Sequence, residues 1–137
     1  MKKFYITFFI FLFVISVIIF DEVSASMYKK TIAIDLDGVL NEYNGKYDEH
    51  KIPNIKAGAK DFIIELSKDY KLILFTTRNS KQAEEWLKEN NVNQYFSEIT
   101  NNKPLASIYI DDRALKFEDD YNKTLNDIKN YKVYWKN

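Results

Sequence analysis

No cysteine occurs in this 137-residue chain, which excludes disulfide scaffolds, zinc-thiolate sites, thiol nucleophiles and iron-sulfur clusters. Histidine is nearly as scarce. His50 alone cannot build a multi-histidine metal centre, and a Ser-His-Asp triad would have to use that one residue. Net charge is also missing: 20 Lys and Arg face 20 Asp and Glu, with no dense basic block, so the long-range field that gathers nucleic acid phosphates is absent. Nucleic acid binding is not expected. Only 3 Gly and 2 Pro interrupt the chain, far from the composition of disordered linkers. What it holds instead is apolar and aromatic: 46% hydrophobic residues, with 10 Phe, 10 Tyr and 2 Trp. The length allows one packed domain, or one domain with an appendage. Any catalysis falls to carboxylates.

The apolar residues are concentrated near the start. Residues 4 to 20 (FYITFFIFLFVISVIIF) are interrupted only by Thr7 and Ser16. Lys2 and Lys3 precede this run, and Val23-Ser24-Ala25 follows it with the small residues of a secretory cleavage site. Residues 1–26 therefore read as an export signal or as an uncleaved membrane anchor, since the run reaches the short end of a membrane helix. In either case the flanking lysines, against Asp21-Glu22, hold the N-terminus in the cytoplasm and pass the rest across. A third reading starts at Met27, which opens MYKKTIAIDLDG like the first residue of a soluble, cytoplasmic domain and leaves residues 1–26 as an upstream extension that is not always translated.

Residues 27–137 suffice for a compact α/β domain. Thr31 to Leu36 (TIAIDL) has the unbroken apolar character of a strand buried on both faces of a parallel sheet. Asn44-Gly45 between Tyr43 and Tyr47 signals a hairpin, hence a small flap. After Pro53, Ala59, Phe62, Ile63, Leu66 and Tyr70 recur at helical spacing, and Lys71 to Phe75 (KLILF) is a second buried strand. Asn79 or Ser80 caps a helix carrying Ala83, Trp86 and Leu87, which stops near Asn90-Asn91. A weak strand follows near Tyr95 to Ile99, a short one at Ser107 to Ile110 (SIYI), and a helix over Asp120 to Asn130. This alternation predicts a doubly wound parallel sheet.

In such sheets the site lies beyond the carboxyl ends of the strands. Three expected strands end in reactive residues: Asp35 and Asp37, Thr76 and Thr77, Asp111 and Asp112, with Lys103 in the loop before the last. Carboxylates converging on one edge repel one another unless a cation sits among them. Mg2+ suits oxygen ligands of this type and commonly adds a substrate phosphate to its shell, which points to phosphoryl chemistry.

The successive segments IAIDLDGVL, LILFTTR and KPLASIYIDDRA resemble the motifs of the haloacid dehalogenase superfamily, in the same order, over roughly residues 30 to 135. The KPxAxxYIDDRA form resembles a small capless subset. That resemblance implies a Rossmann-like fold and a Mg2+-dependent phosphomonoesterase. Asp35 becomes the nucleophile that forms an aspartyl phosphate, and Asp37 the general acid and base. Thr76 donates to a phosphoryl oxygen with help from the Thr77 backbone, and Lys103 neutralises charge on the transferring group. The implied metal ligands are Asp35, the Asp37 carbonyl and Asp112, with Asp111 acting through water. Aspartate rather than threonine at position 37 favours rapid hydrolysis of the intermediate. Similar IDD motifs occur in 5′-deoxyribonucleotidases, but those carry a large cap. Here about thirty residues separate Leu40 from Leu72, so no full cap domain fits. An open site implies a large phosphorylated substrate or closure by a partner subunit, such as a homo-oligomer.

Other assignments compete at several positions. Arg78 and Arg113 either neutralise the carboxylates or grip substrate phosphate. Tyr43, Lys46 and Tyr47 are candidate substrate contacts on the flap. Trp86, Trp135 and the C-terminal tyrosines are assigned to core contacts, and His50 to the flap surface. A receiver domain has its acidic pair first and its lysine last, the reverse of the order here. An EF-hand needs glycine at its sixth loop position, whereas Gly38 is fourth from Asp35. The remaining rivals are a nucleotide-specific phosphatase and a catalytically silent binding or scaffold protein on the same fold.

Overall fold

The first strand, β1 (Thr31–Ile34), forms where the apolar run is densest. Ile32, Ala33 and Ile34 are each no more than 2% exposed, so both faces are covered. In the computed structural model, residues 9–11, 13–18 and 29–136 are described. The chain divides into two units, residues 1–30 and 31–137. In the first, residues 9–11 and 13–18 are helical. No helix among the described residues is long and apolar enough to cross a membrane. The expected cleavage site at Val23-Ser24-Ala25 and the alternative start at Met27 lie outside the described residues.

The second unit carries the sheet. After β1 come α1 (Ala59–Asp69), β2 (Lys71–Phe75), α2 (Ser80–Glu89), β3 (Phe96–Thr100), β4 (Ile108–Ile110) and α3 (Tyr121–Asn130). The four strands are parallel in the order β3-β2-β1-β4, with Ile34 opposite Leu74 on one side and Ile110 on the other. The expected α/β architecture with an all-parallel sheet is present. Between Leu72 and Ile73 the β2–β3 register slips, and the Ser97 hydroxyl donates to the Leu72 carbonyl there at 2.9 Å. The α1 helix starts after Gly58 at φ +82° and buries Ala59 and Ile63, whereas Asn79 caps α2 by accepting from the Lys81 and Gln82 N–H groups at 3.0 and 3.3 Å. Ile32, Ile34, Leu36, Leu40, Ile63, Leu72, Leu74, Leu87 and Val92 form one continuous core. The last helix, α3, is capped by Asp120 but buries no residue.

One local expectation fails. The hairpin at Asn44-Gly45 does not form; residues 42–54 make an irregular loop whose base is closed by an isolated antiparallel bridge between Asn41 and Ile55. The turn chemistry itself survives, because Asn44 Oδ1 accepts from the Lys46 N–H at 3.2 Å and Gly45 takes φ +90°. The two flanking tyrosines have other partners, however. Tyr43 packs edge-on against Trp135 at 5.4 Å, and Tyr47 lies over the Arg78 guanidinium at 4.3 Å. These distant contacts outweigh the short-range pairing signal.

Strand order fixes where a site can form. The chain lays β2 and β3 on one side of β1 and then returns to place β4 on the other, so order reverses between β1 and β4. The crevice at the carboxyl ends of those two strands is the ligand position of open α/β sheets. Asp35 and Asp111 each follow directly on one of them.

Candidate active site

The β1–β4 ladder continues one residue past β1: the Asp35 N–H donates to the Ile110 carbonyl at 2.9 Å. That bond carries Asp35 to the end of β4, and one carboxylate oxygen from each of Asp35, Asp111 and Asp112 comes within 4.8 Å of the others. The group is partly enclosed. Burial, and next the neighbouring Asp111, Asp112 and Asp37 charges, raise the Asp35 pKa from 3.8 to about 7, against a lowering by the Leu36 N–H. The Asp112 side chain is 1% exposed. Its Oδ2 accepts from the Trp135 indole N–H, while its Oδ1 is buried with no hydrogen-bond partner. Arg113 Nε stands 3.4 Å from Oδ1, an ion-pair contact rather than a hydrogen bond. A carboxylate oxygen buried without a hydrogen bond, in a residue grouped with two further carboxylates, is a cost that a hard divalent cation would relieve. The donor set of three aspartates fits such an ion and offers no soft ligand.

The second aspartate of the pair that follows β1 has a different environment. Residues 36–40 turn back on themselves through bonds from the Leu40 and Asn41 N–H groups to the Leu36 carbonyl, at 3.0 and 3.2 Å. That turn brings Asn41 over Asp37, where its Nδ2 donates to Oδ1 at 2.8 Å. From β2's far end Arg78 completes the shell, with Nε to Oδ2 at 2.8 Å and Nη2 to Oδ1 at 3.2 Å. The Asp37 carboxylate thus stands outside the three-aspartate group, and both its oxygens accept: Oδ1 from Asn41 and Arg78, Oδ2 from Arg78. Arg78 is 2% exposed and also donates from Nη1 to the Asp48 and Lys51 carbonyls. Of the two readings for Arg78, the observed contacts are those of neutralisation: it joins Asp37 to the loop.

Thr76 extends the β2–β3 ladder by donating its N–H to Thr100 at 3.0 Å. Its buried hydroxyl accepts from the Arg78 N–H at 3.2 Å, which leaves the hydroxyl proton to donate elsewhere. Thr77 is exposed. Lys103 is not drawn into the carboxylate group; it is exposed, with Nζ 5.1 Å above the Tyr109 ring. The connection from β3 to β4 that carries it contains no helix to fix its path. On the flap loop, Lys46 and Tyr47 line a depression of about 400 Å³ with Lys51 and Pro53, and no aspartate of the three-carboxylate group lines it. Tyr43 is buried against Trp135.

Three contributors escape a reading of the sequence. Asn41 is fully buried and accepts from the Gly38 and Tyr43 N–H groups at 3.1 Å each, so it organises the turn as well as Asp37. The four-residue separation of Asp37 and Asn41 in a turn was its available signal. Tyr131 donates its hydroxyl to the Asp112 carbonyl at 2.9 Å. Partial burial, then Asp112 and Asp111, push the Tyr131 pKa up. Trp135 reaches the Asp112 carboxylate itself, although its aromatic character suggested core contacts only.

The family described as haloacid dehalogenase-like hydrolase matches residues 16–109. The match covers Asp35, Asp37, Thr76, Thr77, Arg78 and Lys103 and stops before Asp111 and Asp112, whose place at the site rests on the geometry above. No curated protein and no solved structure matches the chain.

Proposed function

Because the chain belongs to the haloacid dehalogenase-like hydrolases, we propose that it is a Mg2+-dependent phosphomonoesterase working through Asp35. The observation that carries this reading is the meeting of Asp35, Asp111 and Asp112 at the switch in strand order, with Asp112 Oδ1 buried and without a hydrogen bond. Asp35, Asp112 and the Asp37 carbonyl would hold the ion, with Asp111 acting through water. Bound there, Mg2+ supplies charge neutralisation and Lewis-acid polarisation of a phosphoryl oxygen.

One Asp35 oxygen attacks phosphorus, the P–O bond to the substrate breaks, and the leaving alkoxide takes a proton from Asp37, which enters the step in its acid form, released from Arg78 and protonated from solvent. Asp37 then removes a proton from water, which attacks phosphorus, frees inorganic phosphate and restores the Asp35 carboxylate. Thr76 donates its free hydroxyl proton to a phosphoryl oxygen. For proton transfer Asp37 has to exchange its bonds to Arg78 for one to the ester oxygen. Since Arg78 also ties down Asp48 and Lys51, motion of the loop and release of the acid go together. Lys103 completes the charge balance by swinging from Tyr109 to the phosphoryl group. With no cap domain between Leu40 and Leu72, the substrates are large phosphomonoesters or reach a site closed by a second subunit.

The test is phosphate release by the full-length chain from nucleotides, sugar phosphates and phosphopeptides, with and without Mg2+, beside Asp35→Asn. Mg2+-dependent release that the variant lacks is the expected result. A folded Asp35→Asn protein with undiminished release contradicts the nucleophile assignment. The outlying position of Lys103 favours one second reading, a binding protein on the same fold. Mg2+ binding without turnover across the whole panel would select it.

A further inference from the structure

Two C-terminal residues reach Asp112 of the carboxylate group, and nothing in the proposed chemistry requires them. Trp135 donates its indole N–H to Asp112 Oδ2, and Tyr131 donates to the Asp112 carbonyl. The same indole packs edge-on to Tyr43 and lies against Gly45. Gly38 opens the space for this approach. At φ +89° it is in the left-handed region, and a Cβ there would collide with the Asp112 carboxylate and come within 3.1 Å of Trp135 Nε1. Asp112 therefore has one oxygen held by the indole donor and the other buried without a hydrogen bond, in ion-pair contact with Arg113 Nε at 3.4 Å.

We propose that Trp135 is a positioning residue for metal binding: its N–H occupies Asp112 Oδ2 and thereby presents Oδ1 to the cation. The inference rests on the proposed metal-dependent function and extends it to a residue that touches neither metal nor substrate. Donors behind a ligating carboxylate fix its orientation, and their loss commonly lowers metal affinity by about 10-fold to 100-fold. An indole is well suited here. It has a single donor and no acceptor, so it cannot compete for the ion, and its rigid ring is wedged between Tyr43 and the Gly38 turn. The C-terminal segment thus contributes to the site from outside the region matched by the family.

The experiment is a Mg2+ titration of the full-length chain by calorimetry, comparing wild type with Trp135→Phe, Trp135→Ala and Asp112→Asn. It is joined to ¹H–¹⁵N spectra of the two indole N–H groups. Trp135→Phe keeps an aromatic ring and removes the donor, and the indole spectra of wild type and Asp112→Asn test the hydrogen bond itself, which a merely structural role would not move. The expected result is an affinity lowered by about 10-fold or more in Trp135→Phe, with circular dichroism as in wild type. Trp135→Ala should bind no better. In wild type the Trp135 indole signal should move on adding Mg2+ and in Asp112→Asn, while that of Trp86, which donates to the Pro53 carbonyl at 2.8 Å, stays in place. Wild-type affinity in Trp135→Phe, or a Trp135 signal indifferent to both Mg2+ and Asp112→Asn, overturns the inference alone. A wild-type chain that binds no Mg2+ overturns the metal-dependent reading beneath it and this inference with it.

Discussion

Asp35 and Asp37 lie two residues apart on the same strand end, yet their surroundings are opposite. Around Asp37, Arg78 and Asn41 satisfy both oxygens and the charge is balanced. Around Asp35, two more carboxylates crowd in and a buried oxygen of Asp112 has no hydrogen bond. The difference separates a carboxylate whose charge is balanced within the protein from a group of three that could hold a metal ion. Cost left unrelieved in a folded protein marks the place where a ligand is expected to bind.

Removing each carboxylate should expose the contrast most sharply. Asp35→Asn is expected to lower kcat by about four orders of magnitude or more, as loss of a nucleophile does, measured as phosphate release at saturating Mg2+. Next in size is the Arg78→Met variant, which leaves Asp37 buried without its partner. Breaking a buried pair from one side costs about 3–5 kcal/mol, and denaturant unfolding should register it as a lower midpoint at unchanged slope. In contrast, Asp35→Asn should raise the midpoint of the metal-free protein, since it deletes one of three mutually repelling charges. Opposite signs of stability change at two neighbouring positions would establish the comparison; a stabilising Arg78→Met would break it.

A smaller effect concerns pH. Asp35 has a folded pKa of about 7 against an ordinary value of 3.8, so the folded state holds more protons than the unfolded one between those values. Its contribution to metal-free stability is therefore greatest in acid and declines as pH rises through that window. Thermal unfolding in chelator, wild type minus Asp35→Asn, should show that decline and flatten above pH 7. Mg2+ must displace the same proton, so its affinity should rise with pH up to about 7 and then level off.

The framework beneath this contrast is legible in the sequence, because the strands and their carboxyl ends are local features. An unbroken apolar run stopped by acid predicts both β1 and the position of Asp35, and Asn79 announces α2 by its capping chemistry. The opposite fates of the two aspartates are not legible. They depend on Arg78 arriving from β2, on a turn that folds Asn41 back, and on Trp135 arriving from the far end of the chain. The failed hairpin has the same origin, since Tyr43 and Tyr47 are claimed by Trp135 and Arg78. Lys103 was placed by motif order, and no local feature of its loop dictates where the ammonium points.

The most direct test of the account is anomalous diffraction from a crystal of the protein equilibrated with Mn2+ as a stand-in for Mg2+. One strong peak is expected in coordination contact with Asp35 and Asp112 oxygens and the Asp37 carbonyl, and none between the Asp37 carboxylate and Arg78. A peak absent from the three-carboxylate group at saturating Mn2+ would contradict it.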